Sequence, residues 1–193
     1  HDFSLSLSRY QSQQSELNSD FDLVTIGSIA NIERGGSPRP IKDYITSDPN
    51  GINWIKIGDA QDGSRYITKT KEKIKPEGVK NSRYVESGDF ILSNSMSFGR
   101  PYILQINGCI HDGWLRLKYD KSKITEDYFY YILSSATVYE QFSRLATGGV
   151  VNNLNKDLVS SAKIPLPPIE VQEQIVNELD GYQKIIDGNK RSI

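Results

Sequence analysis

Apolar positions change rhythm several times along the chain. From Phe21, the positions Leu23, Ile26, Ile29 and Ala30 recur at three- and four-residue steps and predict a short helix or helical turn, which Gly35, Gly36, Ser37 and Pro38 break. The loop from Gly35 to Pro40 carries Ser37 and Arg39. The middle of the chain reads as strands: Asn53 to Ile57, Asp89 to Ser93, Tyr102 to Ile106, and the run holding Trp114, Leu115, Leu117 and Tyr119. Between Ile124 and Leu145 the spacing turns helical, with Glu126 and Asp127 where a first turn favours negative charge. Tyr128, Tyr130, Tyr131 and Tyr139 crowd this stretch as core or partner-facing residues. A loop rich in Gly and Asn, Thr147 to Asn155, follows, and then a stiff extended segment from Ile164 to Pro168, because each proline fixes its own φ and restricts the residue before it.

The last segment has the narrowest pattern. Ile175, Leu179, Tyr182, Ile186 and Ile193 fall at alternating four- and three-residue intervals, with Asn189 in the remaining place, as in a coiled-coil seam whose single Asn fixes register. An ordinary amphipathic helix packed on its own domain is the alternative. Residues 1–20, rich in Ser and Gln and without a sustained period, read as a tail or linker. The expected class is therefore α+β: a mixed-sheet domain over 21–166, followed over 167–193 by a long C-terminal helix able to form a coiled coil.

Composition narrows the function classes. The 193 residues carry 23 Lys+Arg against 24 Asp+Glu, a net charge of -1, so any nucleic-acid site must be a local patch rather than a global positive field. No apolar run approaches the roughly 20 residues that cross a bilayer, and the start lacks a basic and apolar leader pattern, which argues against membrane and secreted classes. The one cysteine, Cys109, fits a reducing, cytoplasmic setting. A first residue of His1 rather than Met leads us to expect a piece of something longer.

Catalytic constellations are not legible. Cys109 and His111 would share one face of a strand, half a metal site without a second pair, and His111 and Asp112 would point to opposite faces and form no orienting dyad. No nucleophile elbow, Walker loop or dinucleotide fingerprint occurs. Glu86 and Asp89 lie close in sequence, but no lysine stands beside them as a nuclease site would require. Binding chemistry is richer. Lys69, Lys71, Lys73 and Lys75 alternate, with Lys80 and Arg83 beyond, either tracking a phosphate backbone or guarding an edge strand against aggregation. Loops bearing Ser37 and Arg39, then Ser95, Ser97 and Arg100, then Asn152, Asn153 and Asn155 hold side chains suited to base edges, since Arg pairs with guanine O6 and N7 and Asn with adenine N6 and N7.

Several of these pieces together resemble the specificity subunits of Type I restriction-modification systems, at the level of one target-recognition domain and the helix after it. The matching segments are LVTIGSIANIERGG from Leu23, WIKIGD from Trp54, GDFILS from Gly88, the Gly99-Arg100 step, and NNLNKDLVSSAKIPLPPIEVQEQIVN ending at Asn177. The last is the most specific, because Ile-Pro-Leu-Pro-Pro leading into Glu173-Gln174-Ile175 looks like that family's junction between recognition domain and spacer helix. HDFSLSLSRY at the start looks like the end of an adenine-specific DNA methyltransferase domain.

The resemblance implies a non-catalytic reader of one half of a split double-stranded DNA target, whose helix pairs with a second recognition domain or with a second copy of itself. It implies an adenine methyltransferase, fused or separate, and in some systems a nuclease and translocase subunit as partners. No cofactor is expected on this chain; S-adenosylmethionine belongs to the methyltransferase, whose Asn/Asp-Pro-Pro-aromatic motif is absent here. The expected DNA contacts are Ser37, Arg39, Lys56, Lys69, Lys71, Ser95, Ser97, Arg100, Asn152 and Asn153, and the expected pairing residues are Ile175, Leu179, Tyr182, Ile186 and Asn189. A protein-interaction scaffold with an oligomerising helix and no DNA role is the reading from another class.

Overall fold

Phe90–Ser93 and Pro101–Leu104 are buried at every position, so the strands they form are covered on both faces. The computed structural model describes residues 21–61, 63–94, 98–146 and 153–190. In chain order the elements are β1 (Leu23–Thr25), α1 (Ile26–Ile29), β2 (Ala30–Arg34), β3 (Ile45–Thr46), β4 (Ile52–Ile55), β5 (Tyr66–Ile67), β6 (Glu72–Ile74), β7 (Arg83–Val85), β8 (Phe90–Ser93), β9 (Pro101–Leu104), β10 (Gly108–Ile110), β11 (Trp114–Tyr119), α2 (Glu126–Leu133), α3 (Ala136–Ala146), α4 (Lys156–Ser161), β12 (Lys163–Pro165) and α5 (Ile169–Lys190).

A main sheet runs β2-β11-β8-β9-β5 and a second sheet β3-β6-β4-β10-β7. Each is antiparallel except for one parallel pair, β5 with β9 and β4 with β10, as expected of a mixed-sheet α+β domain. Side chains alternate across the pleat and so divide between two cores. Phe90, Leu92, Ile103, Leu115 and Leu117 face the helices and meet Ile26, Ile29, Phe129, Val138, Phe142 and Val159. Ile91, Tyr102, Leu104 and Trp114 face the second sheet and meet Ile55, Val85 and Ile110. On the far side of that second sheet, Trp54, Ile74 and Cys109 are covered by Ile41, Tyr44 and Ile45.

The short helix or helical turn expected between Leu23 and Ala30 is a single turn, Ile26–Ile29, between two strands, since β1 pairs with β12 and β2 with β11. Two sequence expectations change. The helical stretch from Ile124 to Leu145 is two helices. Ser135 divides them: its hydroxyl donates to the Ile132 carbonyl at 2.7 Å and accepts from the Val138 N–H at 3.3 Å, competing with helix continuation. The lysine-bearing β6 is not an edge strand, since β3 pairs on one side of it and β4 on the other.

The domain's two ends meet at the foot of α5. β1 pairs with β12, and the Leu166 N–H donates to the Asp22 carbonyl at 3.1 Å. Gln172, fully buried, then ties the first turns of α5 to the domain. Its Oε1 accepts from the Thr125 N–H at 2.9 Å, and its Nε2 donates to the carbonyls of Lys123 and Pro167 at 2.9 and 2.8 Å. A Tyr131 hydroxyl bond to Asp180 adds a second tie. Ile175 packs partly on the helix-side core, whereas Leu179 and Tyr182 of the predicted seam are exposed, as is Ile185 beside them. The side chains of Ile186 and Asn189 lie outside the described residues, as do Ile193 and residues 1–20. Among the described residues no helix is long and apolar enough to cross a membrane.

Candidate nucleic-acid interface

Loops that the sequence singled out one by one are joined by a single turn, residues 111–114, closed by the Trp114 N–H donating to the His111 carbonyl at 3.1 Å. Asp112 is its centre. Its Oδ1 accepts from the Ser37 hydroxyl at 2.7 Å, and its Oδ2 lies 3.4 Å from Nη2 of Arg39. Its backbone carbonyl accepts from Nε of Arg34 at 3.3 Å and from Nδ2 of Asn94 at 3.0 Å. Asn94 passes the connection on: its N–H donates to the Gly113 carbonyl and its carbonyl accepts from the Leu154 N–H, at 3.0 and 2.9 Å. The loop at 34–40, Asn94 at the end of β8 and the segment at 153–155 therefore meet around one turn.

The double glycine makes this approach possible. Gly35 and Gly36 donate their N–H groups to the carbonyls of Trp114 and Ile110, and a Cβ on Gly35 would stand 2.1 Å from the His111 carbonyl oxygen, a clash with backbone that nothing nearby can relieve. In the neighbouring loop, the Gly99 N–H donates to the Ser93 carbonyl and the Ser93 hydroxyl accepts from the Arg100 N–H, with Gly99 at positive φ. That turn brings Arg100 to the end of β8, at a second cavity of about 650 Å³ beside stacked Phe98 and Tyr139.

Beneath the first loop lies a cavity of about 700 Å³ whose lining includes Ser37, Arg39, Trp54, Lys56, Glu72 and His111. Three predicted contacts, Ser37, Arg39 and Lys56, thus share one wall system. Both cations are charge-compensated: Arg39 by Asp112, and Lys56 by Glu72 Oε1 at 2.6 Å. Asp59 receives the Lys56 N–H on Oδ2 at 2.8 Å and the Lys71 N–H on Oδ1 at 3.1 Å, so Lys71 stands near Lys56. Lys69 and Lys71 are exposed and form no ion pair with described residues. Lys73 and Lys75 instead donate to the carbonyls of Pro49 and Asp43, which takes half of the predicted lysine row into local structure.

His111 is a packing and hydrogen-bonding group. Its Nδ1 faces the Gly113 N–H at 2.8 Å and its Nε2 the Ile57 N–H at 3.0 Å. A neutral ring can accept on one of these nitrogens and a protonated ring on neither. Burial holds the imidazole pKa below its ordinary value, with Asp112 opposing. The Ser37 hydroxyl in turn holds the Asp112 carboxyl below the usual range. The expectation that His111 and Asp112 point apart is corrected: Nδ1 and Asp112 Oδ1 are 3.5 Å apart, because β10 ends at Ile110 and strand alternation no longer applies beyond it. Cys109 stays on the buried far face beside Trp54, its thiol pushed up by burial, and the described residues contain no group of three His, Cys, Asp or Glu able to hold a metal ion.

Asn153 adjoins Leu154 at the junction. Asn155 instead caps α4, its Oδ1 accepting from the N–H groups of Asp157 and Leu158, so it is engaged in structure rather than free to read bases. Ser95, Ser97 and Asn152 lie outside the described residues. Sequence reasoning missed Asp112 and Asn94 as organisers. The signal was the Asp112-Gly113 dipeptide, a turn marker hidden inside a β-prone run.

Residues 18–193 match the model of the Type I restriction modification DNA specificity domain. The MjaVIII specificity subunit of a type I restriction enzyme from Methanocaldococcus jannaschii is 24% identical over 176 residues, covering 86% of this chain and 37% of that protein. The HsdS subunit from Thermoanaerobacter tengcongensis superimposes with a TM-score of 0.65 at 19% identity, over 96% of this chain and 47% of that one. A chain from a study of assembly and conformational transition in the type I R-M system gives 0.70 at 22% identity, over 96% and 46%. The chain spans about two fifths of the length of the curated relatives it matches. With the match running from before β1 to the end of α5, the chain belongs to the family of Type I restriction modification DNA specificity domains.

Proposed function

We propose that this chain reads one half of a split duplex target, in the cytoplasm, and positions an adenine methyltransferase over it. The observation that carries the reading is the convergence of three polar segments on the turn at Asp112. Separate loops held on a rigid scaffold are suited to reading adjacent base edges, while phosphate contacts set register. Arg39, Arg100 and Asn153, with Ser37, Ser95, Ser97 and Asn152, are the proposed base-side and loop contacts; Lys56, Lys69 and Lys71 are the proposed backbone contacts.

The division 1–20, 21–166 and 167–193 follows as linker, recognition domain and spacer. The exposed row Leu179, Tyr182 and Ile185 supports pairing of α5 with the helix of a second recognition domain or of a second copy, with Ile175 entering the pair from the domain side and Ile186 and Asn189 continuing it. Catalysis and S-adenosylmethionine belong, in this reading, to the methyltransferase, and a nuclease and translocase subunit joins where cleavage is coupled. A genome-wide map of methylated adenines, with and without this gene segment, tests the proposal. Loss of methylation from one gapped motif supports it. If every motif stays methylated, the reading fails and an oligomerising protein scaffold replaces it.

A further inference from the structure

Arg39 and Lys56 at the 700 Å³ cavity are each held by a carboxylate, whereas Lys42 in the same lining and exposed Lys69 and Lys71 form no ion pair with described residues. A surface built only for affinity toward a polyanion would leave every cation free, because each neutralised phosphate releases counterions and tightens binding. Carboxylates on such a surface cost affinity unless they do something else. Asp112 is 42% exposed at the side chain and Arg39 is 80% exposed, so the pair meets the same solvent that DNA would displace.

We infer that Asp112 and Glu72 are specificity-determining positioning residues: Asp112 biases Arg39 away from phosphate and toward the neutral acceptor edges of bases, and Glu72 loosens the backbone contact of Lys56. The inference rests on the DNA reading above and says how that site discriminates. Two physical effects support it. A carboxylate beside the cation repels an approaching phosphate but not a guanine O6 or N7, so it weakens contact with any duplex more than contact with the right one. It also occupies only Nη2 of Arg39, and a guanidinium has five N–H donors, so the rest stay available in an orientation that the Asp112 carboxylate and the neighbouring Ser37 hydroxyl fix. Phosphate contact then rests mainly on exposed Lys69 and Lys71, in the segment between β5 and β6.

The test uses the full chain, a 40-bp duplex enriched from a random pool by the wild-type protein, and a scrambled duplex of equal composition. Asp112→Asn removes the charge and keeps an oxygen to accept from Ser37. Affinity for the scrambled duplex is expected to rise about five- to tenfold, the order of one short ion pair in a water-like medium. The log-affinity against log-salt slope is expected to steepen by about one, the signature of one more phosphate contact. The ratio of enriched to scrambled affinity falls accordingly. Glu72→Gln makes the same prediction through Lys56 at a separate pair, and Arg39→Gln added to Asp112→Asn abolishes the gain. A purely structural role for Asp112 would lower affinity for both duplexes and leave the slope alone, and that result, or an unchanged ratio in both single variants, overturns the inference. If the wild-type chain enriches no duplex, the DNA reading itself fails, an outcome separable from an unchanged ratio.

Discussion

Gln172 holds the spacer helix to the domain, and its replacement gives the most quantitative expectation. The side chain is fully buried and makes three hydrogen bonds, all to backbone: from Thr125 N–H, and to the Lys123 and Pro167 carbonyls. Gln172→Leu conserves approximate volume but leaves one N–H and two carbonyls without these partners in a dry site. At about 1 to 3 kcal/mol for a buried unsatisfied group, with carbonyls retaining partial satisfaction, the loss comes to about 2 to 4 kcal/mol. For a chain of this size that lowers Tm by roughly 4 to 16 °C, at about 2 to 4 °C per kcal/mol. Gln172→Glu should be worse at neutral pH. The carboxylate still accepts from Thr125 but faces two carbonyls with no proton to give, and the buried acid takes a raised pKa. Because a raised carboxyl pKa means that the native state holds the proton more tightly, the extra loss shrinks as pH falls toward the ordinary Glu range and grows above it. Thermal melts of both variants from pH 4.5 to 7.5 check this. A Leu variant within about 0.5 kcal/mol of wild type, or a Glu variant with no pH dependence relative to wild type, refutes the account of the clamp.

Other expectations follow from the turn and the helix. His111 is held below its ordinary pKa by burial, so the unfolded chain binds a proton that the native ring refuses; its contribution to stability is complete above about pH 6.5 and is lost as pH falls below that. Urea melts of wild type and His111→Gln between pH 5 and 7.5 should show a shallower acid loss in the variant, and identical slopes would remove His111 as the cause, leaving Asp112, Asp59 and Lys56 beside it to explain the titration. Gly35→Ala places a methyl against the His111 carbonyl and should destabilise by about 1 to 3 kcal/mol or more, read as a lowered urea midpoint; an unchanged midpoint would mean that the two loops separate freely. Leu179→Asp together with Ile186→Asp should abolish self-association or pairing with a second recognition domain while leaving the melt of the domain nearly intact, since Leu179 is exposed. Sedimentation that does not change between wild type and variant would end the pairing proposal.

Much of the fold was legible because its signals are local. Trp114–Tyr119 and Phe90–Ser93 match the runs of β-prone residues closely, and the Pro-rich segment before Ile169 marks where α5 begins. The split at Ser135 was not legible, since an apolar spacing continues across it while one hydroxyl decides the break. Nor was the second sheet around β6: Lys71, Lys73 and Lys75 alternate as an exposed edge would, yet the strand that holds Lys73 is flanked on both sides by partners that the sequence places far away.

The candidate site divides in the same way. Sequence alone determined the residue types offered to a partner, the near-neutral charge that confines any nucleic-acid contact to a patch, and the last helix with Leu179 and Tyr182 on one seam. Tertiary structure decided which of those residues meet. Ser37 and Asp112 are 75 positions apart, Arg39 and Asp112 73, and Asn94 and Asp112 18, and their contacts exist because two sheets stack and bring the end of β10 against the loop after β2. Charge compensation was likewise hidden, since Arg39 and Lys56 read as free cations until the fold set a carboxylate beside each. Local propensities act over a few residues and can be read along a chain, whereas packing and ion pairing act through space and depend on where the whole chain has gone.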